Sequence, residues 1–432
     1  MKNSAGAIAA VSVLNGPSAF AANDKMVVGV MGLGGRGTFL AEKFAERPDV
    51  ELAYLCDPDS RRLPRAKDTV TKAGKHTPKL VQDFRRILED KSVDVVVNAT
   101  PDHWHALGTI LACQAGKHVY VEKPLSHNLW EGRQMVAAAR KYQRVVQAGL
   151  QTRSTRYLQD AMAYIKTGQL GDVKLVKVYN MMNHPFVKAG PDQPVPEGFD
   201  YELWCGPAPK APYNPSRRWL GYFDYSCGPI PGDLVHQVDA ARCLMGDPPA
   251  PGSVNHTGGI SVLKDGRDTP DTQIASFDYG SFTLITESSL WTPYIMKTPM
   301  DMRDKDVPPN WPFNSTRVEL YGTKGFLYFG RHGDGWQAFD EKGKSVVSAC
   351  GRQADREHVQ NFLDCIRSNK LPNADVEQAH QSTLLCHLAN TSWRLGNIRL
   401  EFDGASETFR NPAANRYLRR TYREPWAVPE KV

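Results

Sequence analysis

The chain has 432 residues, 41% of them hydrophobic and 23% charged, with 53 Lys and Arg set against 47 Asp and Glu. One small core cannot absorb that length, so two domains are expected. The formal net charge of +6 is modest and the basic residues are scattered, which gives a nucleic-acid partner no support.

Residues 1–24 come first. "AGAIAAVSVL" is mildly apolar and alanine-rich, and small residues follow at Ala19 and Ala21, the shape of an export signal with an A-x-A cleavage site. Lys2 is the one basic residue before the run. The expectation is a periplasmic or exported protein, with a cytoplasmic chain and a loose tail as the alternative. Beyond this segment no apolar run approaches the ~18 residues that span a bilayer. The eight cysteines include no C-x-x-C pair and read as buried free thiols.

"KMVVGVMGLGGRGTFLAEKF" is an apolar strand, a turn Gly32-Leu33-Gly34-Gly35-Arg36-Gly37, and a helical pattern through Leu40 and Phe44. That is G-x-G-x-x-G in its proper context. Gly32 makes the tight turn, Gly34 lets backbone approach a pyrophosphate, and Gly37 lets helix pack on strand. A second strand, "VELAYLCD", ends at Asp57, twenty positions after Gly37, where a carboxylate accepts from ribose hydroxyls. Asp57 would repel a 2′-phosphate and favours NAD; Arg61 and Arg62 leave NADP open.

The rhythm repeats in "VDVVVNATPDHWHALGTILACQAGKHVYVEKPL". Val93 to Ala99 reads as a buried parallel strand broken by Thr100 and Pro101, with helix expected from about Ala106 to Gly116. The strand Val119 to Val121 then delivers Glu122 and Lys123 to the same sheet edge. His103 and His105 form an H-x-H pair without further ligands at metal spacing, so no metal is expected.

These segments resemble the Gfo/Idh/MocA oxidoreductases, named for glucose–fructose oxidoreductase and inositol dehydrogenase. The glycine turn at Gly32, "ATPDHWH" at 99–105, "EKP" at 122–124 and "CGPIPGDLVHQVDAARCLMG" at 227–246 carry the likeness. "HVQNFLDCIRS" and "RNPAANRYLRRTYREPW" extend it toward the C-terminus, so that it covers nearly the whole chain from about Lys25. The resemblance implies an α/β protein: a Rossmann domain over 25–150, then an α/β domain with a large open-faced, mostly antiparallel sheet over 151–350. C-terminal helices and an arm, 351–432, pack on both. Runs such as "KLVKVYN", "TQIASFDYG", "SFTLITESSL", "TRVELYG" and "GFLYFG" suit that sheet. A homodimer or homotetramer is expected, since an uncovered sheet face leaves apolar surface in water.

The resemblance puts Lys123 in the active site. A lysine amine ordinarily titrates near 10.4, so a lysine base needs burial or neighbouring positive charge. The family pattern places an Asp four residues before a His and a second Asp three after it. His236 and Asp239 match the latter two. Gly232 stands at the first position, and Asp233 follows one place on, turned by about 100° on a helix. The expected catalytic residues are therefore Lys123, His236 and Asp233. Thr100, Pro101, His103, His105, Glu122 and Lys123 are expected beside the cofactor with the glycine turn and Asp57. Arg153 and Tyr225 join Lys123, Asp233 and His236 as expected substrate contacts.

The implied function is an NAD(P)-dependent oxidoreductase acting on a sugar, polyol or glycoside, its cofactor held tightly and recycled. A glycosidase working by transient oxidation, elimination and re-reduction would use the same Lys123 and His236. A sugar sensor that binds dinucleotide without catalysis is the third reading.

Overall fold

The computed structural model describes residues 25–432 apart from 75, 185–187, 189, 296 and 312–313; the expected export segment lies outside the described residues. The first sheet is built from β1 (Met26–Met31), β2 (Val50–Cys56), β3 (Lys79–Val81), β4 (Val95–Asn98), β5 (His118–Val121) and β6 (Val146–Ala148). Helices α1 (Gly35–Ala45), α2 (Leu63–Gly74), α3 (Arg85–Glu89), α4 (Asp102–Gln114) and α5 (Leu129–Lys141) connect them. The strand order is 3-2-1-4-5-6 and every pairing is parallel. Such strands are buried on both faces, which is why "VVV" in β4 is wholly buried rather than alternating. The order reverses between β1 and β4, and ligands bind at the carboxyl ends there.

α4 begins at Asp102, earlier than the expected Ala106, because Pro101 takes the extended N-cap conformation. This shift places His103 and His105 inside the first turn of a buried helix. α6 (Arg156–Lys166) leads to β7 (Val173–Met181), and α7 (Tyr201–Cys205) precedes α8 (Pro229–Leu244). Gly228, at φ 106°, turns the chain into α8 and Pro229 sits in its first turn, where a missing N–H costs nothing.

The second sheet adds β8 (Ser253–Gly259), β9 (Thr272–Asp278), β10 (Thr283–Ser289), β11 (Thr316–Gly322), β12 (Gly325–Gly330), β13 (Trp336–Asp340) and β14 (Ser345–Ala349). After α9 (Asp355–Ser368) and α10 (Val376–Arg394) come β15 (Leu400–Asp403) and β16 (Thr408–Phe409). Its order is β14-β13-β12-β11-β7-β10-β9-β8-β15-β16, antiparallel except for β7 beside β10. One face packs on α6, α8 and α10 through Leu158, Val238 and Leu385. The other carries Leu175, Tyr179, Ile274 and Ile285, with Ile274 44% exposed.

The chain's end returns to the first domain. Val359, Phe362, Leu363 and Ile366 of α9 enter the core beneath β1. Each such side chain contributes about 1.5–3 kcal/mol on burial.

Candidate active site

A crevice of about 670 Å³ runs along the carboxyl ends of β1, β4 and β5 and beneath residues 199–225, within the range of ligand cavities. Its floor is the glycine turn. Gly32 has φ 86°, and a Cβ there would lie 2.6 Å from the Ala99 carbonyl oxygen. At Gly37 a Cβ would fall 1.7 Å from the Gly32 carbonyl oxygen, whereas at Gly35 it would meet nothing within 4 Å. The turn is therefore closed toward the protein and open toward the crevice. Gly34 precedes α1 and provides no side-chain cap, leaving the helix's first N–H groups for an anion.

Asp57 directly follows β2 on the same wall and accepts from the N–H of Leu33 (2.7 Å) and of Asp59 (2.9 Å). Burial raises its carboxyl, against the opposing pull of Arg62 and those N–H groups. Its remaining lone pairs can accept ribose hydroxyls. Leu33 itself does not line the crevice: its N–H belongs to Asp57 and its side chain to the core. The other glycine-turn residues, with Thr100, Pro101 and Glu122, all do. An open phosphate cradle with a carboxylate at the ribose position fits NAD.

Glu122 turns away from the Lys123 side chain. It accepts from Arg36 Nε (2.8 Å) and from the Lys123 backbone N–H (3.2 Å). Burial alone would raise its carboxyl, but Arg36 and then Lys123 outweigh that and hold it below its usual range. Lys123 points the other way, with Nζ donating to the Gly232 carbonyl oxygen at 2.6 Å. Among the described residues it joins no ion pair.

α8 thus presents its first turn to the crevice. Gly232 and Asp233 line it, one helical turn before His236. Asp233 is bound by Lys297 (2.5 Å) and Arg331 (3.1 Å). Burial opposes its charge, yet Arg331, Lys297 and Lys123 hold its carboxyl well below the usual carboxylate range. His236 is buried behind this pair rather than on the crevice wall. Burial, then Arg331 and Lys123, push it well below the usual histidine range, so it is neutral at pH 7.

Three expected contacts stand elsewhere. The His103 ring faces the carbonyl oxygens of Trp204 (2.9 Å) and Tyr225 (3.1 Å), and burial drives it down to about 3. His105 lies between the carbonyls of Pro124 (2.7 Å) and Thr100 (2.9 Å). Both hold loops in place; neither lines the crevice. Arg153 is buried, bound to Asp239 (2.9 Å) and Asp247 (2.6 Å), so its guanidinium is spent inside the second domain. Tyr225 does line the crevice, but its hydroxyl donates to the Pro209 carbonyl. The crevice also uses His184, and Lys297 and Arg331 grip its Asp233; none of these was signalled by a local motif. Burial and Arg218 lower His184 to about 4.

Residues 26–150 match the family model described as an oxidoreductase family with an NAD-binding Rossmann fold, and 178–258 match the same family's C-terminal alpha/beta domain. A glycosyl hydrolase family 109 protein of Stenotrophomonas maltophilia is 42% identical over 122 residues, 27% of each chain. The chain thus spans little more than a quarter of the curated relatives it matches first. Among solved structures, the WlbA dehydrogenase of Bordetella pertussis, in complex with NADH and UDP-GlcNAcA, aligns with TM-score 0.64 at 20% identity, covering 88% of this chain and 99% of that one. The aldose-aldose oxidoreductase of Caulobacter crescentus aligns with TM-score 0.65 at 19% identity, over 88% and 100%. Both share the fold. With two modules of one family matched along the two sheets, and the glycine turn and "EKP" at one crevice, the chain belongs to the Gfo/Idh/MocA oxidoreductases.

Proposed function

We propose that the protein oxidises a secondary alcohol of a sugar, polyol or glycoside with NAD that stays bound between turnovers. The observation that carries this is the Lys123 amine, in the same crevice as the glycine turn and aimed by the Gly232 carbonyl. When bound, NAD supplies the hydride acceptor. The glycine turn and the α1 N-terminus would hold its phosphates, and Asp57 its ribose. Lys123 holds the substrate hydroxyl and removes its proton. Asp233, engaged by Lys297 and Arg331, is not available as a base, and His236, neutral and off the crevice wall, does not take the proton.

Retention of the cofactor is supported by the cover over the crevice. Gly198 O accepts from Ser60 N (2.9 Å) and Asp200 N donates to Pro58 O (2.9 Å), pinning the segment at the Asp57 end. His103 and Trp104 pin it again at Trp204. Export fits the same reading, because an exported enzyme has no free dinucleotide pool to draw on. The apolar outer face of the second sheet supports assembly into a dimer or tetramer.

The test begins with mass spectrometry of nucleotide released on denaturation, followed by a sugar screen for reduced nicotinamide. Lys123→Met is expected to keep the nucleotide and lose about 10²–10⁴ in turnover. Unchanged turnover would refute the assignment. A second reading, an NAD-dependent glycosidase, is favoured by the likeness over 122 residues to a family 109 glycosyl hydrolase. Release of nitrophenol from a nitrophenyl glycoside with no added nucleotide selects it.

A further inference from the structure

Among the described residues, the carboxylates on the crevice wall belong to Asp57, Asp59, Asp102, Glu122 and Asp233. Arg62 stands by Asp57 (3.9 Å), Arg61 pairs with Asp59, Arg36 with Glu122, and Lys297 and Arg331 with Asp233. Asp102 alone of these has no ion pair among the described residues, although it is only 2% exposed. It is the first residue of α4, where a helix N-terminus favours an anion. Its Oδ2 accepts from Ser226 Oγ (2.8 Å) and the Cys227 N–H (3.3 Å), with the Cys227 thiol at 3.9 Å. Ser226 Oγ in turn accepts from the Gly228 N–H (3.0 Å), in the turn that starts α8. All these donors take Oδ2, and among the described residues none takes Oδ1.

Burial raises the Asp102 carboxyl, while His105, Ser226 and Lys123 pull it down. A carboxylate withdrawn from water with no cation beside it costs free energy that a ligand's positive charge would recover. Sheet order identifies that charge. Asp57 follows β2 and the glycine turn follows β1, so a dinucleotide laid from ribose to phosphates runs along β2-β1-β4-β5. Its far half then lies over the ends of β4 and β5, which Asp102 and Lys123 follow. The cation that a dinucleotide brings to that end is the oxidised nicotinamide ring, which loses its charge on reduction.

We propose that Asp102 is the counter-charge of the nicotinamide ring and sets the potential of the bound dinucleotide, favouring its oxidised form. This rests on the reading of the crevice as an NAD site with Lys123 at the reacting end. When a sugar C–H gives its hydride to the ring and the hydroxyl gives its proton to Lys123, the positive charge beside Asp102 disappears. The reduced form is therefore the less stabilised partner and the better hydride donor. That suits a cofactor re-oxidised in place.

The experiment uses the full chain with bound NAD, equilibrated with mediator dyes at a series of fixed potentials. The reduced fraction is read from nicotinamide absorbance. Asp102→Asn keeps the shape of the side chain and removes its charge. Its midpoint is expected to rise by about 30 mV, a tenfold shift toward the reduced form in a two-electron couple. A residue that merely shaped the crevice would weaken both forms alike and leave the midpoint where it was. Should Asp102→Asn fail to fold, Ser226→Ala, which takes one donor from the anion, is expected to raise the midpoint by about 15 mV, or threefold. An unmoved or lowered midpoint in a variant that retains the dinucleotide overturns the proposal and leaves the reading of the site standing. A native chain that binds no dinucleotide even when NAD is added, or Lys123→Met at full turnover, overturns that reading and the proposal with it.

Discussion

Arg36 stands where three pieces of chain meet. It belongs to the glycine turn, donates to Glu122 beside Lys123 (2.8 Å), and reaches Asp355 at the start of α9 (2.9 Å). Arg36→Gln would leave Glu122 buried with one backbone N–H; because the Arg36 side chain is 36% exposed, solvent screening cuts the cost of losing it to about 1–2 kcal/mol. The sign with pH follows. In the native protein the Glu122 carboxyl is lowered, so its contribution is present above its unfolded value and lost in acid. In Arg36→Gln burial raises it, so the variant loses further stability as pH rises through that raised value. The gap between the two should widen from pH 4.5 to 7.5 in denaturant titrations. Equal gaps at both pH values would show that Glu122 does not carry the effect. Lys123 was readable in the sequence because "EKP" is local. Lys297 and Arg331 were not: they reach Asp233 from positions 64 and 98 residues away, and no spacing rule connects them.

At the scale of elements, the C-terminal arm and the cover segment act as a strap. Arg420 donates to Glu131 of α5 (2.7 Å) and to the His103 carbonyl (2.8 Å). Arg423 donates to the carbonyls of Gly206 (3.0 Å) and Ala208 (3.1 Å), and Trp426 packs edge-on against Trp104 at 5.2 Å. The arm thus holds the segment that roofs the crevice. Arg423→Ala is expected to speed loss of bound dinucleotide about tenfold, near 1.4 kcal/mol, while the unfolding midpoint stays close to native. Nucleotide fluorescence during dialysis reads this; an unchanged release rate would separate the arm from retention. Strands β7, β9 and β10 were legible because more and less buried residues alternate, as Val176 and Val178 do against Leu175 and Lys177, while β11 and β12 are short aliphatic and aromatic stretches that meet at Gly322 and Gly325. β8 was not, because "SVNHTGG" is polar and ends in two glycines; its neighbours β9 and β15 make it a strand. The arm itself was implied by the family resemblance, but its contacts were opaque. Its partners are backbone carbonyls, and carbonyls leave no mark on a sequence. The contacts of His103 and His105 left no mark either, their partners being backbone carbonyls.

Across the whole molecule, one clamp joins the edge of the second sheet to the nucleotide-binding domain. Glu407, in the turn between β15 and β16, accepts from Arg133 of α5 (2.5 Å) and pairs with His380 of α10 (2.8 Å); Arg133 also holds Glu377 (2.7 Å). Burial by itself would raise the Glu407 carboxyl, but His380 and Arg133 bring it down to about 2 from 4.5. A carboxyl lowered by folding stabilises the folded state above its unfolded value, and that stability is lost as pH falls from about 4.5 through about 2. Arg133 is 37% exposed, so solvent screening cuts the contribution to about 1–2 kcal/mol. Glu407→Gln should be less stable than the native chain by that amount at pH 6, and the two curves should converge as pH approaches 2.5. Urea midpoints at pH 6 and pH 3 measure it. A gap of the same size at both would mean that Glu407 stabilises by packing, and that acid does not loosen the second sheet from the dinucleotide domain through this carboxylate.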